Sequence, residues 1–220
     1  MKVRAIITGA TGMVGEGVLH ECLLHPDVES VLVINRKPCG VTHAKLKEII
    51  HTNFFDLSSI EKQLANYNAC FYCLGATSLG MKEPEYYHLT YELTLYIAKL
   101  LSVQNPDMVF CYVSGAGTNT TGKSRSMWIR IKGKTENDLQ KLPLKKTYMF
   151  RPGYMQPTPE LHNTQKVYNY VSWMYPVLRF LFPKFVCTLK ELGIAMIHTV
   201  TIGYEKPILE VKDIVELASK

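Results

Sequence analysis

The sequence predicts a doubly wound α/β fold, in which a parallel sheet is covered by helices on both faces. Three observations carry this. Short apolar runs alternate with stretches of helical spacing over residues 3–150. Those runs are apolar throughout rather than at every second position, as strands buried on both faces are. The first run ends in a glycine cluster that leads straight into a helical stretch. The chain has 220 residues, 47% of them apolar, enough for one core. One domain over residues 1–220 is expected, with a small helical C-terminal lobe at about 154–220.

In chain order, Val3–Thr8 is a buried strand. Met13–His25 is a helix with Val14, Val18, Leu19 and Leu23 on one face, closed by Pro26. Val31–Ile34 is the second strand and Glu48–Phe54 the third. A helix follows from Ser58 to Ala65, with Ser58 and Glu61 spaced as a capping box. Ala69–Leu74 is the fourth strand, Tyr86–Val103 a helix, and Met108–Val113 the fifth strand. After the polar loop Thr118–Ser126 a helix runs from Met127 to Leu142. Thr147–Phe150 is the sixth strand, stopped by Arg151-Pro152-Gly153. The rest is helical apart from a late strand, Pro207–Val211, and ends in a last helix.

The most informative string is T-G-A-T-G-M-V-G, Thr8 to Gly15. Glycines at 9, 12 and 15, between a strand and a helix, fit a Rossmann-type dinucleotide turn. Gly9 allows the tight turn, Gly12 lets a pyrophosphate approach the backbone, and Gly15 lets the helix pack closely. Thr11, Met13 and Val14 complete the turn, where free N–H groups and the helix dipole favour phosphate. At the end of the second strand, where an NAD-binding site carries Asp or Glu, the residues are Asn35, Arg36 and Lys37. Two cations and no carboxylate suit a 2′-phosphate, so NADP(H) is expected over NAD(H).

Composition excludes several classes. Charged residues make up 20% and both signs are mixed, which argues against disorder. The net charge is +6, but the adjacent basic pairs are only Arg36-Lys37 and Lys145-Lys146, so a nucleic-acid partner is not expected. The start of the chain reads as a strand, not a secretion signal. The apolar stretch Val171–Val186 is interrupted by Pro176, Arg179, Pro183 and Lys184 and is too broken to span a bilayer. Its expected place is a core helix and pocket wall; the alternative is a surface that touches a membrane or a protein partner. The seven histidines show no metal-ligand spacing, and no metal is expected. Six cysteines, several in apolar runs, suggest reduced thiols and a cytoplasmic location. Cys70 and Cys73 lie on one strand and, three apart, face opposite sides, so they do not share a metal or a redox turn.

Taken in order, T-G-A-T-G-M-V-G, N-R-K at 35–37, F-D-L at 55–57, Y-C-L-G-A-T at 72–77, Y-V-S-G at 112–115, I-K-G-K-T-E at 131–136 and F-R-P-G at 150–153 resemble the atypical short-chain dehydrogenase/reductases. The resemblance is strongest to the branch that includes the Tat-interacting oxidoreductase-like proteins. It covers residues 3 to about 157 and only loosely the rest. The resemblance implies that Asp56 and Leu57 sit beside the adenine and that Cys73, Leu74 and Gly75 line the ribose and pyrophosphate side. It also implies a catalytic serine at Ser114, a lysine at Lys132 that bonds the nicotinamide ribose, and a turn of Arg151, Pro152 and Gly153 over the nicotinamide. The substrate is then a small molecule met by the lobe after residue 154.

One position departs from that family. Active members carry Tyr-x-x-x-Lys on one helix face, the tyrosine moving the proton during hydride transfer. Here the string is Trp128-Ile-Arg-Ile-Lys132. An indole N–H donates a hydrogen bond but has no acid–base cycle near neutral pH. The functions left open are an NADP(H)-dependent oxidoreductase or epimerase-like enzyme with a rearranged proton donor, for which Tyr91 and Tyr154 are the substitutes, and a non-catalytic dinucleotide-binding regulator or redox sensor.

Overall fold

The computed structural model describes residues 1–159, 161–163 and 172–220. Seven parallel strands form the main sheet: β1 (Val3–Thr8), β2 (Val28–Asn35), β3 (Leu46–Ile50), β4 (Ala69–Tyr72), β5 (Val109–Val113), β6 (Lys146–Arg151) and, from the end of the chain, β9 (Ile208–Glu210). Their order is β3-β2-β1-β4-β5-β6-β9. The direction of winding therefore reverses between β1 and β4, and the carboxyl ends of these two strands open the crevice where such sheets bind ligands. A short second sheet pairs β7 (Tyr154–Gln156) with β8 (Val186–Thr188).

The helices are α1 (Met13–Leu24), α2 (Glu83–Tyr87), α3 (Leu93–Gln104), α4 (Met127–Leu139), α5 (Tyr175–Leu181), α6 (Leu189–Thr201) and α7 (Val211–Ala218). A π-helical turn, His88–Glu92, joins α2 to α3. The two faces of the sheet bury separate cores. One holds Ile7, Val33 and Phe71 with Val18 and Leu19 of α1 and Met196 of α6. The other holds Ile6, Leu32, Cys70 and Phe110 with Ile97 and Leu101 of α3. Neighbours on a strand go to opposite cores, which is why the strands read as unbroken apolar runs. Cys70 goes to one core and Cys73 packs against the other, as their spacing requires. All six cysteines are free.

Several elements differ from the sequence reading. The third strand is Leu46–Ile50, and Phe54 lies in the loop after it. Ser58–Leu64 is a 3-10 helix without the Ser58–Glu61 capping box. Asp56 instead accepts from the N–H and hydroxyl of Ser58, at 3.1 and 2.6 Å, and Glu61 accepts from Gln104 at 2.6 Å. A capping box does form at Thr188 and Glu191, opening α6. The late strand joins the main sheet through β6, and α6 packs along α1, so much of the C-terminal segment covers the sheet itself. The expectation of a core helix within Val171–Val186 fails. Val171 lies outside the described residues, and α5 buries none of its seven residues. No helix among the described residues is long and apolar enough to cross a membrane.

Candidate functional site

The glycine turn is built as its sequence suggests, and each glycine has its own cause. Gly9 adopts φ +74°, and a Cβ there would meet the backbone of Cys73 and Leu74 at 2.9 Å. Gly15 packs so closely on the turn that a Cβ would lie 2.1 Å from the Gly9 carbonyl oxygen. Gly12 is different. Its φ is an ordinary −108°, and a Cβ would find only the Gly9 oxygen, at 3.5 Å. Gly12 is thus not needed by the fold; it leaves a cradle empty above the N-terminus of α1. No side chain caps that terminus, so its N–H groups remain available to an anion.

Two adjoining cavities continue from this cradle along the carboxyl edge of the sheet. One, of about 250 Å³, is lined by Gly9, Thr11, Gly12, Asn35, Arg36, Phe54, Cys73, Leu74 and Gly75, with Ile34. The other, of about 230 Å³, is lined by Thr52, Asn53, Phe54, Phe55 and, from the opposite side, Leu89 and Leu93. Arg36, Phe54, Leu74 and Gly75 belong to both. The π-helical turn inserts a residue into the helical register and delivers Leu89 to this wall. Phe55 is stacked on His88 at 4.1 Å, and His88 in turn meets Glu92.

Asn35 is almost fully buried. Its amide donates to Glu48 at 2.9 Å, and the Cys39 N–H donates to the same carboxylate oxygen at 2.9 Å. Burial alone would raise the Glu48 pKa, but these two hydrogen bonds outweigh it and hold the carboxyl below its ordinary value. Glu48 stands opposite Val33 in the β2–β3 register, hence on the face that carries Asn35. The sequence reading, which found no carboxylate at the end of β2, missed this one from the neighbouring strand. Arg36 makes no ion pair among the described residues and faces both cavities; Lys37 is exposed and lines neither.

Asp56 and Leu57 do not line either cavity, contrary to the role implied by resemblance. Leu57 is fully buried and its N–H donates to the Tyr96 hydroxyl at 3.0 Å, while exposed Asp56 is engaged with Ser58. The wall that they were expected to form comes from Thr52–Phe55 instead. Met13 turns its side chain into the core, which leaves its backbone as the part that can face a ligand.

Further along the edge, the helix α4 places Trp128 and Lys132 one turn apart. Trp128 packs toward Gly117, whose added Cβ would lie 3.9 Å from the outer edge of the indole. The Lys132 ammonium donates to the carbonyl of Ser114, and burial lowers its pKa to about 8. The Ser114 hydroxyl turns the other way. It is buried and donates to Glu136 at 2.6 Å. The expectation that Ser114 presents its hydroxyl to a substrate is therefore corrected: that hydroxyl is spent on the interior.

The same correction applies to Arg151. Its guanidinium forks onto Glu136, with Nε–Oε1 at 3.0 Å and Nη2–Oε2 at 2.5 Å, and reaches Glu210 at 3.0 Å. Glu136 is wholly buried. The pair therefore ties α4 to β6 and to the start of α7 rather than holding a ligand. Pro152 accepts from the Ala116 N–H at 2.8 Å. Gly153 packs on Phe185, where a Cβ would come within 2.2 Å of the carbonyl oxygen. Tyr91 is drawn to Lys134 and Asp138 rather than to Lys132. Tyr91 donates to Asp138 at 2.8 Å and accepts from Lys134 at 2.8 Å, and Tyr154 donates to Gln156 at 3.0 Å. No cluster of metal-ligating side chains occurs among the described residues.

A nicotinamide dinucleotide fits these residues: a cradle that one Cβ would fill, an uncapped helix terminus, and an arginine, without an ion pair among the described residues, that lines two adjoining cavities. The comparisons agree with the fold. ADP-L-glycero-D-manno-heptose-6-epimerase of Helicobacter pylori superposes with a TM-score of 0.67 at 14% identity, over 99% of this chain and 82% of that one. WbmF of Bordetella bronchiseptica, solved in complex with NAD+, gives a TM-score of 0.65 at 14% identity, over 99% of this chain and 77% of its own. At such identities the likeness is one of fold. By sequence, the chain is 26% identical over 153 residues to the mitochondrial protein FMP52-1 of Scheffersomyces stipitis, covering 69% of this chain and 66% of the relative. With three further relatives also named mitochondrial, the matches span 63–66% of each relative's length. These names overturn the cytoplasmic expectation, which rested on reduced thiols alone. Residues 5–146 match the NAD dependent epimerase/dehydratase family, and the chain belongs to that family.

Proposed function

We propose that the chain binds NADP(H) in preference to NAD(H) and is an oxidoreductase- or epimerase-like protein with little turnover, because its proton donor is lost. The observation that carries this reading is Trp128, one turn before Lys132, with Ser114 turned inward and Tyr91 engaged elsewhere. Bound NADP(H) would supply a hydride donor or acceptor. The glycine turn would hold its pyrophosphate, Arg36 its 2′-phosphate, and Lys132 its nicotinamide ribose. The ordered motifs shared with the Tat-interacting oxidoreductase-like branch support the same reading. Trp128 also favours a second one, a non-catalytic dinucleotide-binding regulator or redox sensor. The names of the sequence relatives support a mitochondrial setting.

Arg36→Ala is expected to reduce the preference for NADP(H) by about tenfold or more, since hydrogen bonds to charged groups contribute about 1.5–3 kcal/mol. The loss should fall on NADP(H) and spare NAD(H). Calorimetric titration of both cofactors checks this, and equal affinities in the unmodified protein would show the reading to be wrong.

Trp128→Tyr is expected to leave NADP(H) affinity unchanged, because the cradle and Lys132 are untouched. General acid–base help contributes about 10²–10⁴ in rate, so any carbonyl accepted by the pocket should be reduced faster by the variant. Consumption of NADPH against a panel of carbonyl compounds reads both proteins. Fast turnover by the unmodified protein would refute the lost-donor reading. Silence of both proteins with tight NADPH binding would favour the regulator.

A further inference from the structure

The segment Trp173–Phe185 inverts the usual arrangement of a surface helix. Arg179 of α5 points inward, donating to Glu191 at 2.7 Å and to the Val186 carbonyl. The outward stripe is Val177, Phe180 and Leu181, which are 53%, 84% and 59% exposed. Trp173 before it is 76% exposed, and Phe182 and Phe185 after it are more than half exposed. A helix that faces water carries its polar side outward. Here the cation holds the segment to the body and the aromatic groups are left outside. The segment is also fixed in place, since the Phe185 carbonyl accepts from the Tyr154 N–H at 2.9 Å. So contiguous an exposed apolar surface marks a contact site.

We infer that this segment seats the protein on an anionic lipid bilayer. The charges around it select that occupant. Residues 172–190 contain no Asp or Glu. Their charged groups other than the committed Arg179 are Lys184 and Lys190, both exposed and without an ion pair among the described residues. The chain as a whole carries +6. Trp and Phe tips flanked by lysines are what the interface between headgroups and acyl chains accepts. A protein interface has a polar, solvent-accessible rim, whereas the charges that flank this segment in sequence, within residues 172–190, are all positive.

The test is sedimentation of the 220-residue chain with phosphatidylcholine vesicles, with and without phosphatidylglycerol. The unmodified protein should pellet with the anionic vesicles. Phe180→Asp should bind about tenfold or more weakly, since one aromatic side chain stays in water. Lys184→Glu should lose about fivefold or more on anionic vesicles only. The chain has two tryptophans, so in a Trp128→Phe background the emission of Trp173 alone should shift to the blue on binding. Retention of the unmodified protein in the supernatant, an unmoved Trp173 emission, or unimpaired binding by Phe180→Asp would each overturn the inference. So would self-association that Phe180→Asp abolishes without any vesicle binding, because the face would then be covered by a second copy. Both side chains are exposed, and unchanged thermal unfolding of the variants separates lost binding from lost fold.

Discussion

Glu136→Ala is expected to lower the unfolding free energy by about 3–5 kcal/mol, the range found when one partner of a buried ion pair is removed. Glu136 is wholly buried and accepts from Ser114 and from two nitrogens of Arg151. Its loss leaves a largely buried guanidinium with only the half-exposed Glu210, and leaves the Ser114 hydroxyl its longer contact to the Phe150 carbonyl, at 3.2 Å. Replacing both members, as in Glu136→Leu with Arg151→Met, should recover much of the loss, because no unpaired charge then remains inside. Denaturant unfolding of the two single variants and the double variant checks this. Additive losses across the cycle would mean that the two side chains do not act as a pair. Lys132 and Trp128 sit on the same helix, so the pair also sets how α4 is held against β6.

Gly12→Asp should weaken dinucleotide binding by roughly a hundredfold or more, equivalent to losing two charge-assisted hydrogen bonds at about 1.5 kcal/mol or more each. The new carboxylate would occupy the cradle and repel a pyrophosphate. The fold should be unaffected, since the backbone at Gly12 is ordinary and a Cβ meets only one atom, at 3.5 Å. Calorimetric titration with NADPH reads the affinity, and thermal unfolding without ligand reads the fold. Unchanged affinity would remove the phosphate site from the glycine turn. Gly15 offers no such separation of effects, because a side chain there would strike the Gly9 carbonyl and damage the turn itself.

The sequence by itself determined most strands of the main sheet and the glycine turn, though it set the third strand too late and missed the short pair Tyr154–Gln156 and Val186–Thr188. Buried parallel strands must be apolar on both faces, so β1, β4 and β5 were legible as unbroken runs. The glycines at 9, 12 and 15 announced the turn, since residues with a side chain could not build it as found at 9 and 15. The placing of Trp128 one turn before Lys132 on a helix was legible too, because i and i+4 share a helix face. Tertiary structure alone decided what depends on long-range partners. Ser114 and Arg151 occupy positions that the resemblance marked as functional, yet both side chains are drawn to Glu136, more than a dozen residues from either. Glu48 reaches Asn35 only because β3 lies beside β2. Asp56 and Leu57 gave way to Thr52–Phe55 because the loop after β3 begins earlier than its apolar pattern suggested. The apolar segment near residue 180 resembled core in one dimension. Its one inward cation, matched to Glu191 on α6, turned that apolar face outward.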